Sequence, residues 1–168
     1  MSDKVFIITL NWNGLEFIED CLRSVLNLDF PVHEVVVVDN CSTDDSVKFI
    51  RSTFPTIKII QNNTNLGYSL GFNKGIDYSI GQGADYILIM NNDTVIDKLA
   101  LRELVGVIKK DTSIGFVSGK VLEYDIPTKI QTMGRKKDSL NLISDTHIGS
   151  GEIDEGQYDT VRECDFVD

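Results

Sequence analysis

Basic residues are scarce in this 168-residue sequence: lysine and arginine number 16 against 26 aspartates and glutamates, a formal net charge of −10. A phosphate backbone demands a basic footprint, so this balance argues against nucleic acid as a partner. It does not exclude a nucleoside diphosphate held through a metal. Cysteine is rare as well. Cys21, Cys41 and Cys164 are odd in number and far apart, which fits neither a disulfide framework nor metal-ligand spacing and points to a reduced, cytoplasmic setting. The two histidines, His33 and His147, stand alone in expected loops without partners nearby in sequence. Apolar runs are too short to span a bilayer, and Met1-Ser2-Asp3-Lys4 leads straight into a strand-like run without signal-peptide pattern. Internal repeats and low-complexity tracts are absent.

What is present suits one soluble domain over residues 1–168, with 42% hydrophobic and 25% charged residues. Val5 to Leu10 is an apolar, β-branched run, and Asn11-Trp12-Asn13-Gly14 closes it as a loop. Leu15, Ile18, Leu22, Val25 and Leu26 follow at helical spacing. Glu34 to Asp39 reads as a second buried strand. Ser42 is placed to cap the next helix with Asp45 three residues on, Val47, Ile50 and Phe54 give that helix its apolar face, and Pro55 stops it. A third strand at Ile57 to Ile60 precedes a helix to about Ile80 on which Gly67, Gly71 and Gly75 recur every fourth residue. That bare face suits close approach by a backbone or by a ligand.

Tyr86 to Met90 reads as a strand buried on both faces, followed abruptly by Asn91-Asn92-Asp93. Asp97 can cap a helix with Leu99, Leu101, Leu104, Val105 and Ile108 inward. Ile114 to Val121 is expected as a strand, Val121 to Met133 as a hairpin or sheet-edge excursion, and 134–160 as a flexible excursion. The carboxylates after residue 144 are opposed only by Arg162 and His147, as in a solvated segment. Strand and helix alternate four times before residue 110, the pattern of a parallel α/β sheet.

Ligands of such sheets bind beyond the carboxyl ends of the strands. Three strand ends here carry polar residues: Asn11 to Asn13, Asp39 to Ser42, and Asn91 to Asp93. Each alone is an ordinary turn composition. Together they point to one crevice, where a carboxylate can hold a divalent cation and the cation a diphosphate.

Four segments then carry a resemblance: Ile8 to Gly14, Val36 to Asp44, Asn65 to Ile76, and Ile87 to Thr94. Their order and spacing over roughly residues 4–122 resemble the amino-terminal part of an inverting family-2 glycosyltransferase of the rhamnosyltransferase-like kind. The resemblance implies a Rossmann-like GT-A fold, a mainly parallel sheet in three α/β/α layers. It implies a nucleotide pocket around Leu10, Asn11 and Trp12, with Asp39 hydrogen-bonding base or ribose and Ser42 beside it. Gly67 to Asn73 corresponds to the segment closing over base and sugar. Asn92 is implied to contact ribose or phosphate and Asp93 to bind Mg²⁺ or Mn²⁺, though the family's first motif acid is an amide here.

The expected function is transfer of a sugar from a UDP-, dTDP- or GDP-sugar, with inversion, to the hydroxyl of a saccharide or lipid-linked acceptor. The implied setting is cell-wall or polysaccharide synthesis in the cytoplasm, at most indirectly at the inner face of the membrane. An inverting displacement needs a general base, which in this family lies downstream on the acceptor side. Glu163 to Asp168 resembles the strand leading there, so the sequence is expected to be short on that side and to hold no catalytic base. That leaves a rival: a non-catalytic nucleotide-sugar-binding or assembly module. A sugar nucleotidyltransferase, sharing the topology, wants a basic Gly-rich loop after the first strand, which Asn11-Trp12-Asn13-Gly14 does not supply.

Overall fold

A computed structural model describes residues 3–137 and 145–167. The chain divides into two compact units, Met1–Arg102 and Glu103–Asp168.

In the first unit, the apolar runs form the strands β1 (Val5–Asn11), β2 (Glu34–Asp39), β3 (Lys58–Gln61) and β4 (Tyr86–Asn91). Helices α1 (Ile18–Leu26), α2 (Ser46–Thr53) and α3 (Gly67–Gly81) connect them. All pairings are parallel and the order is β3-β2-β1-β4. The chain thus runs outward from β1 to β3 and returns to the other side of β1. This reversal makes the carboxyl ends of β1 and β4 a topological switch point, where α/β sheets open a crevice.

β1 is central, and Val5 to Ile8 are fully buried. On one face Phe6, Ile8, Val36 and Val38 pack with Phe72 of α3. Burying each such side chain contributes about 1.5–3 kcal/mol. The glycines of α3 explain its close seat. A Cβ at Gly71 would lie 2.6 Å from Leu10 Cδ1, and one at Gly75 2.6 Å from Ile8 Cγ2. Of the two uses open to the glycine face, Gly71 and Gly75 serve packing.

Several expectations are corrected. β4 is half-exposed rather than buried on both faces, with Ile89 45% exposed, because among the described residues only β1 flanks it. Leu15 and Leu26, expected inward with α1, are exposed, and Cys21 takes a buried place beside Ile18, Leu22 and Val25. Helix α2 starts at Ser46 with Asp45 as its first flanking residue, not at Ser42, whose hydroxyl is engaged elsewhere. Asp97 does accept from the Leu99 amide at 2.8 Å ahead of α4 (Ala100–Ile108).

In the second unit the expected strand Ile114 to Val121 does not form. Residues 114–120 carry no regular structure and Phe116 is 83% exposed. Gly115 and Gly119 interrupt that run, and strand pairing starts only at its end. There β5 (Val121–Leu122) pairs antiparallel with β6 (Ile130–Thr132), and β7 (Arg135–Lys137) with β8 (Asp145–His147). Of the stretch 134–160, residues 138–144 lie outside the described residues. Lys120 Nζ bridges Asp154 at 2.6 Å and Asp159 at 2.8 Å. Near the end of the chain the expected strand is reduced to an isolated bridge between Phe166 and Arg135. Among the described residues no helix is long and apolar enough to cross a membrane.

Candidate functional site

Register brings the polar strand ends together. Asn11 pairs with Asp39 across β1 and β2, and Leu10 with Asn91 across β1 and β4. Asn11 is fully buried, so its amide has to find protein partners. Its Nδ2 donates to Asp39 Oδ1 at 2.9 Å, Ser46 Oγ at 2.8 Å and Ser42 Oγ at 3.1 Å. Its Oδ1 accepts from Asn92 Nδ2 at 3.2 Å. Asp39, 1% exposed, also accepts from the Ser42 hydroxyl at 2.5 Å and the Ser42 amide at 3.1 Å. A buried carboxylate paired this way avoids the desolvation cost of an unpaired charge. A chain of hydrogen bonds therefore runs Asn92–Asn11–Asp39, tying three strand ends. Gly14 makes room for it, since a Cβ there would lie 2.0 Å from Asn92 Nδ2.

The two loops beyond β1 and β2 are stitched to each other. Asn13 Oδ1 accepts from the Thr43 amide at 2.8 Å, and Asp44 Oδ2 accepts from the Leu15 amide at 3.0 Å. Asn13 and Cys41 both adopt left-handed backbone, φ 51° and 65°. Such a conformation costs a non-glycine residue about 1–2 kcal/mol, less for Asn, and tends to collect at functional sites. Burial pushes the Asp44 carboxyl up, but the Ser46 hydroxyl and the Leu15 and Ser46 amides outweigh it and hold the group below its ordinary value.

Above this network lies a cavity of about 270 Å³ lined by Leu10, Trp12, Tyr68, Asn91, Asn92 and Asp93. It sits at the switch point between β1 and β4. Trp12 is 57% exposed, a rim residue rather than a core one, and Tyr68 packs edge-on against Phe72 at 4.8 Å. Asp93 is exposed, and no hydrogen bond or ion pair engages its carboxylate among the described residues. Its charge is felt locally. Burial, and secondarily Asp93, raise the Tyr68 phenol; burial pushes the Cys21 thiol up to about 11, with Asp93 adding to it.

A divalent cation fits this donor set. Among the described residues no three His, Cys, Asp or Glu side chains gather into a metal cage. One open carboxylate beside two side-chain amides is instead the hard-oxygen fragment that holds Mg²⁺ or Mn²⁺ when phosphate oxygens and waters complete the shell.

Of the residues singled out in the sequence, Leu10, Trp12, Asn92 and Asp93 line the cavity. Asn11, Asp39 and Ser42 lie in the network beneath it. Gly67 begins α3 with φ 75° and its carbonyl accepts from Asn40 Nδ2 at 2.9 Å, whereas Asn73 is exposed farther along that helix; neither lines the cavity. Tyr68 was missed. The signal was available, because Tyr68 falls inside the Gly67 to Asn73 segment and stands one turn ahead of Gly71 on the same helix face, and Gly71 already meets Leu10 near the carboxyl end of β1. A second cavity, about 320 Å³ between Val25, Phe30, His33, Val35 and Ile57, lies by the amino ends of the strands and contains no residue of this set.

Residues 5–153 match the model of Glycosyl transferase family 2. Over 130 residues the chain is 29% identical to the poly-beta-1,6-N-acetyl-D-glucosamine synthase of Staphylococcus aureus strain COL, covering 73% of this chain and 30% of that protein. The Staphylococcus epidermidis synthase is 28% identical over 127 residues with the same coverage. The chain thus spans about 30% of the length of these relatives. Among solved structures, the mannosyltransferase PcManGT of Pyrobaculum calidifontis, in complex with GDP-Man and Mn²⁺, aligns at TM-score 0.61 and 25% identity over 71% of this chain and 36% of that one. S. aureus TarS 1-349 aligns at 0.54 and 28% over 64% and 32%. The sheet is that of the Rossmann-like GT-A fold.

Proposed function

As the chain belongs to Glycosyl transferase family 2, we propose that its cavity between β1 and β4 binds the diphosphate of a nucleotide-sugar donor together with Mg²⁺ or Mn²⁺, for inverting transfer of the sugar to a hydroxyl. The observation that carries this is the open Asp93 carboxylate at the switch point, lining one cavity with Trp12 and Tyr68. The Mn²⁺ and GDP-Man held by the mannosyltransferase neighbour support a cation and a nucleotide sugar here. The donor is a UDP-, dTDP- or GDP-sugar, and the acceptor a saccharide or lipid-linked saccharide presented at the cytoplasmic face of the membrane.

Asp93 would hold the cation, with Asn91 and Asn92 beside it. When bound, the cation supplies charge stabilisation to a departing nucleoside diphosphate. Asn92 spends its Nδ2 on Asn11, which leaves its Oδ1 to accept from a ribose or sugar hydroxyl. Trp12, Leu10 and Tyr68 give the donor an apolar wall and exclude water from it. Asp39 and Ser42 hold the loop that borders the nucleotide, with Gly67 and Asn73 on the segment beyond it. No general base is assigned within this chain.

One observation favours a second reading, binding without turnover: among the described residues, Asp93 is the sole carboxylate lining the cavity. A transfer assay with added acceptor separates the two, since turnover by this chain removes the second. The primary test is calorimetry with UDP, dTDP and GDP, each with Mn²⁺ and with chelator. At least one should bind about tenfold more tightly with the cation, about 1.4 kcal/mol. Asp93→Ala should abolish that difference. Equal binding with and without cation overturns the proposal.

A further inference from the structure

We propose that Asn13 is a positioning residue for the donor: by clasping the loop beyond β2 it fixes the neighbouring indole of Trp12 against the cavity before any ligand arrives. This rests on the donor-binding reading of the cavity and adds to it how the aromatic wall is held.

Trp12 is more than half exposed, so burial does not fix its side chain. What fixes it is the chain on either side. Asn11 is immobilised in the buried network through four side-chain hydrogen bonds. On the other side, the Asn13 amide donates to Ser42 Oγ at 2.9 Å, and Asn13 Oδ1 accepts from the Thr43 amide at 2.8 Å. Longer contacts reach that same oxygen from the Asp44 amide at 3.3 Å and the Thr43 hydroxyl at 3.4 Å.

Asn13 occupies a special place in the register. Asn11 and Asp39 are paired, and two residues beyond each stands a left-handed residue, Asn13 on one loop and Cys41 on the other. Among the described residues these are the non-glycine positions with positive φ. Asn suits such a backbone better than most residues, because its short amide can bond locally. Here the amide instead reaches across to residues 43 and 44. The strained conformation and the clasp are therefore one device: the left-handed turn aims the Asn13 side chain at the opposite loop, and the bonds made there hold the turn.

A wall aromatic held in place beforehand spares the ligand the entropy of ordering it. If Asn13 served only to fold the loop, glycine would replace it, since glycine takes the same φ without strain. If it positions Trp12, glycine keeps the turn and loses the effect, whereas aspartate keeps an oxygen acceptor and retains most of it.

Trp12 is the single tryptophan of the chain, so its emission reports this position alone. The experiment compares wild type, Asn13→Gly and Asn13→Asp by acrylamide quenching without ligand, then by titration with UDP, dTDP and GDP in Mn²⁺. Circular dichroism and urea midpoints establish that each variant is folded under the assay conditions. The expected result is quenching about twofold more efficient in Asn13→Gly, with nucleotide affinity about tenfold weaker, and Asn13→Asp within about threefold of wild type. Unchanged quenching or unchanged affinity in Asn13→Gly overturns the proposal, as does Asn13→Asp losing as much as Asn13→Gly. Failure of wild type to bind any of the three nucleotides brings down the donor reading itself, a result distinct from wild type and Asn13→Gly binding alike.

Discussion

Replacing Asn11 by alanine should cost far more than a polar residue at a strand end ordinarily does. The side chain is fully buried and engages four groups, so truncation leaves partners behind that water cannot reach. The bond to the Asp39 carboxylate is charge-assisted and contributes about 1.5–3 kcal/mol, and a neutral bond about 1 kcal/mol. Two amide hydrogens serve three acceptors, so at most two of those bonds are at full strength. With the bond from Asn92 and the small void included, the loss is about 4 kcal/mol, against a whole-domain stability of about 5–15 kcal/mol. Urea unfolding followed by circular dichroism measures it, with an unchanged slope confirming that the same transition is being compared. Sharing of the hydrogens makes a second expectation: the Asn11→Ala, Ser46→Ala double variant should lose about 1 kcal/mol less than the two single variants added together. A cost for Asn11→Ala below about 1 kcal/mol with unchanged slope would refute the reasoning. It would mean that Asp39 is satisfied without Asn11 and that the strand ends are not tied together by it.

Gly75→Ala should destabilise by about 1–3 kcal/mol through overpacking, because the new Cβ meets Ile8 Cγ2 at 2.6 Å and Val38 Cγ2 at 3.0 Å, both on buried residues. On the same helix Gly81→Ala, with nothing within 4 Å, should raise the urea midpoint through helix propensity alone, and a rise for both would refute the packing account. Asp44 supplies a pH dependence. Its folded pKa is depressed, so its contribution is complete above the unfolded value of about 3.9 and is lost as pH falls through the folded one. Stability measured from pH 5 downward should therefore fall less steeply in Asp44→Ala than in wild type, and parallel acid limbs would show that the Asp44 contacts contribute nothing.

How much of this was legible beforehand depends on the range of the interaction. The alternation of elements, the polar strand ends and the cap at Asp97 are local patterns, and they hold in the structure. Ser42 looked like a helix cap for equally local reasons, but its hydroxyl donates to Asp39 three residues away and accepts from the Asn13 amide 29 residues away, and only the pairing of β1 with β2 brings that second partner near. The place of β4 at the sheet edge is set by partner count, which an apolar run does not encode. The same limit divides the polar residues at the strand ends. Asn11 and Asp93 look alike in sequence, each a short polar side chain closing an apolar run. Register decides otherwise: Asn11 faces Asp39 and is consumed by it, while Asp93 stands two residues past the end of β4, beyond the last pair of the ladder, where no group among the described residues claims it. A carboxylate left open at a switch point and an amide spent beneath it are different in kind, one available to a ligand and one to the fold. Substitutions should separate them accordingly, with Asn11→Ala read first in the unfolding curve and Asp93→Ala in the cation dependence of binding.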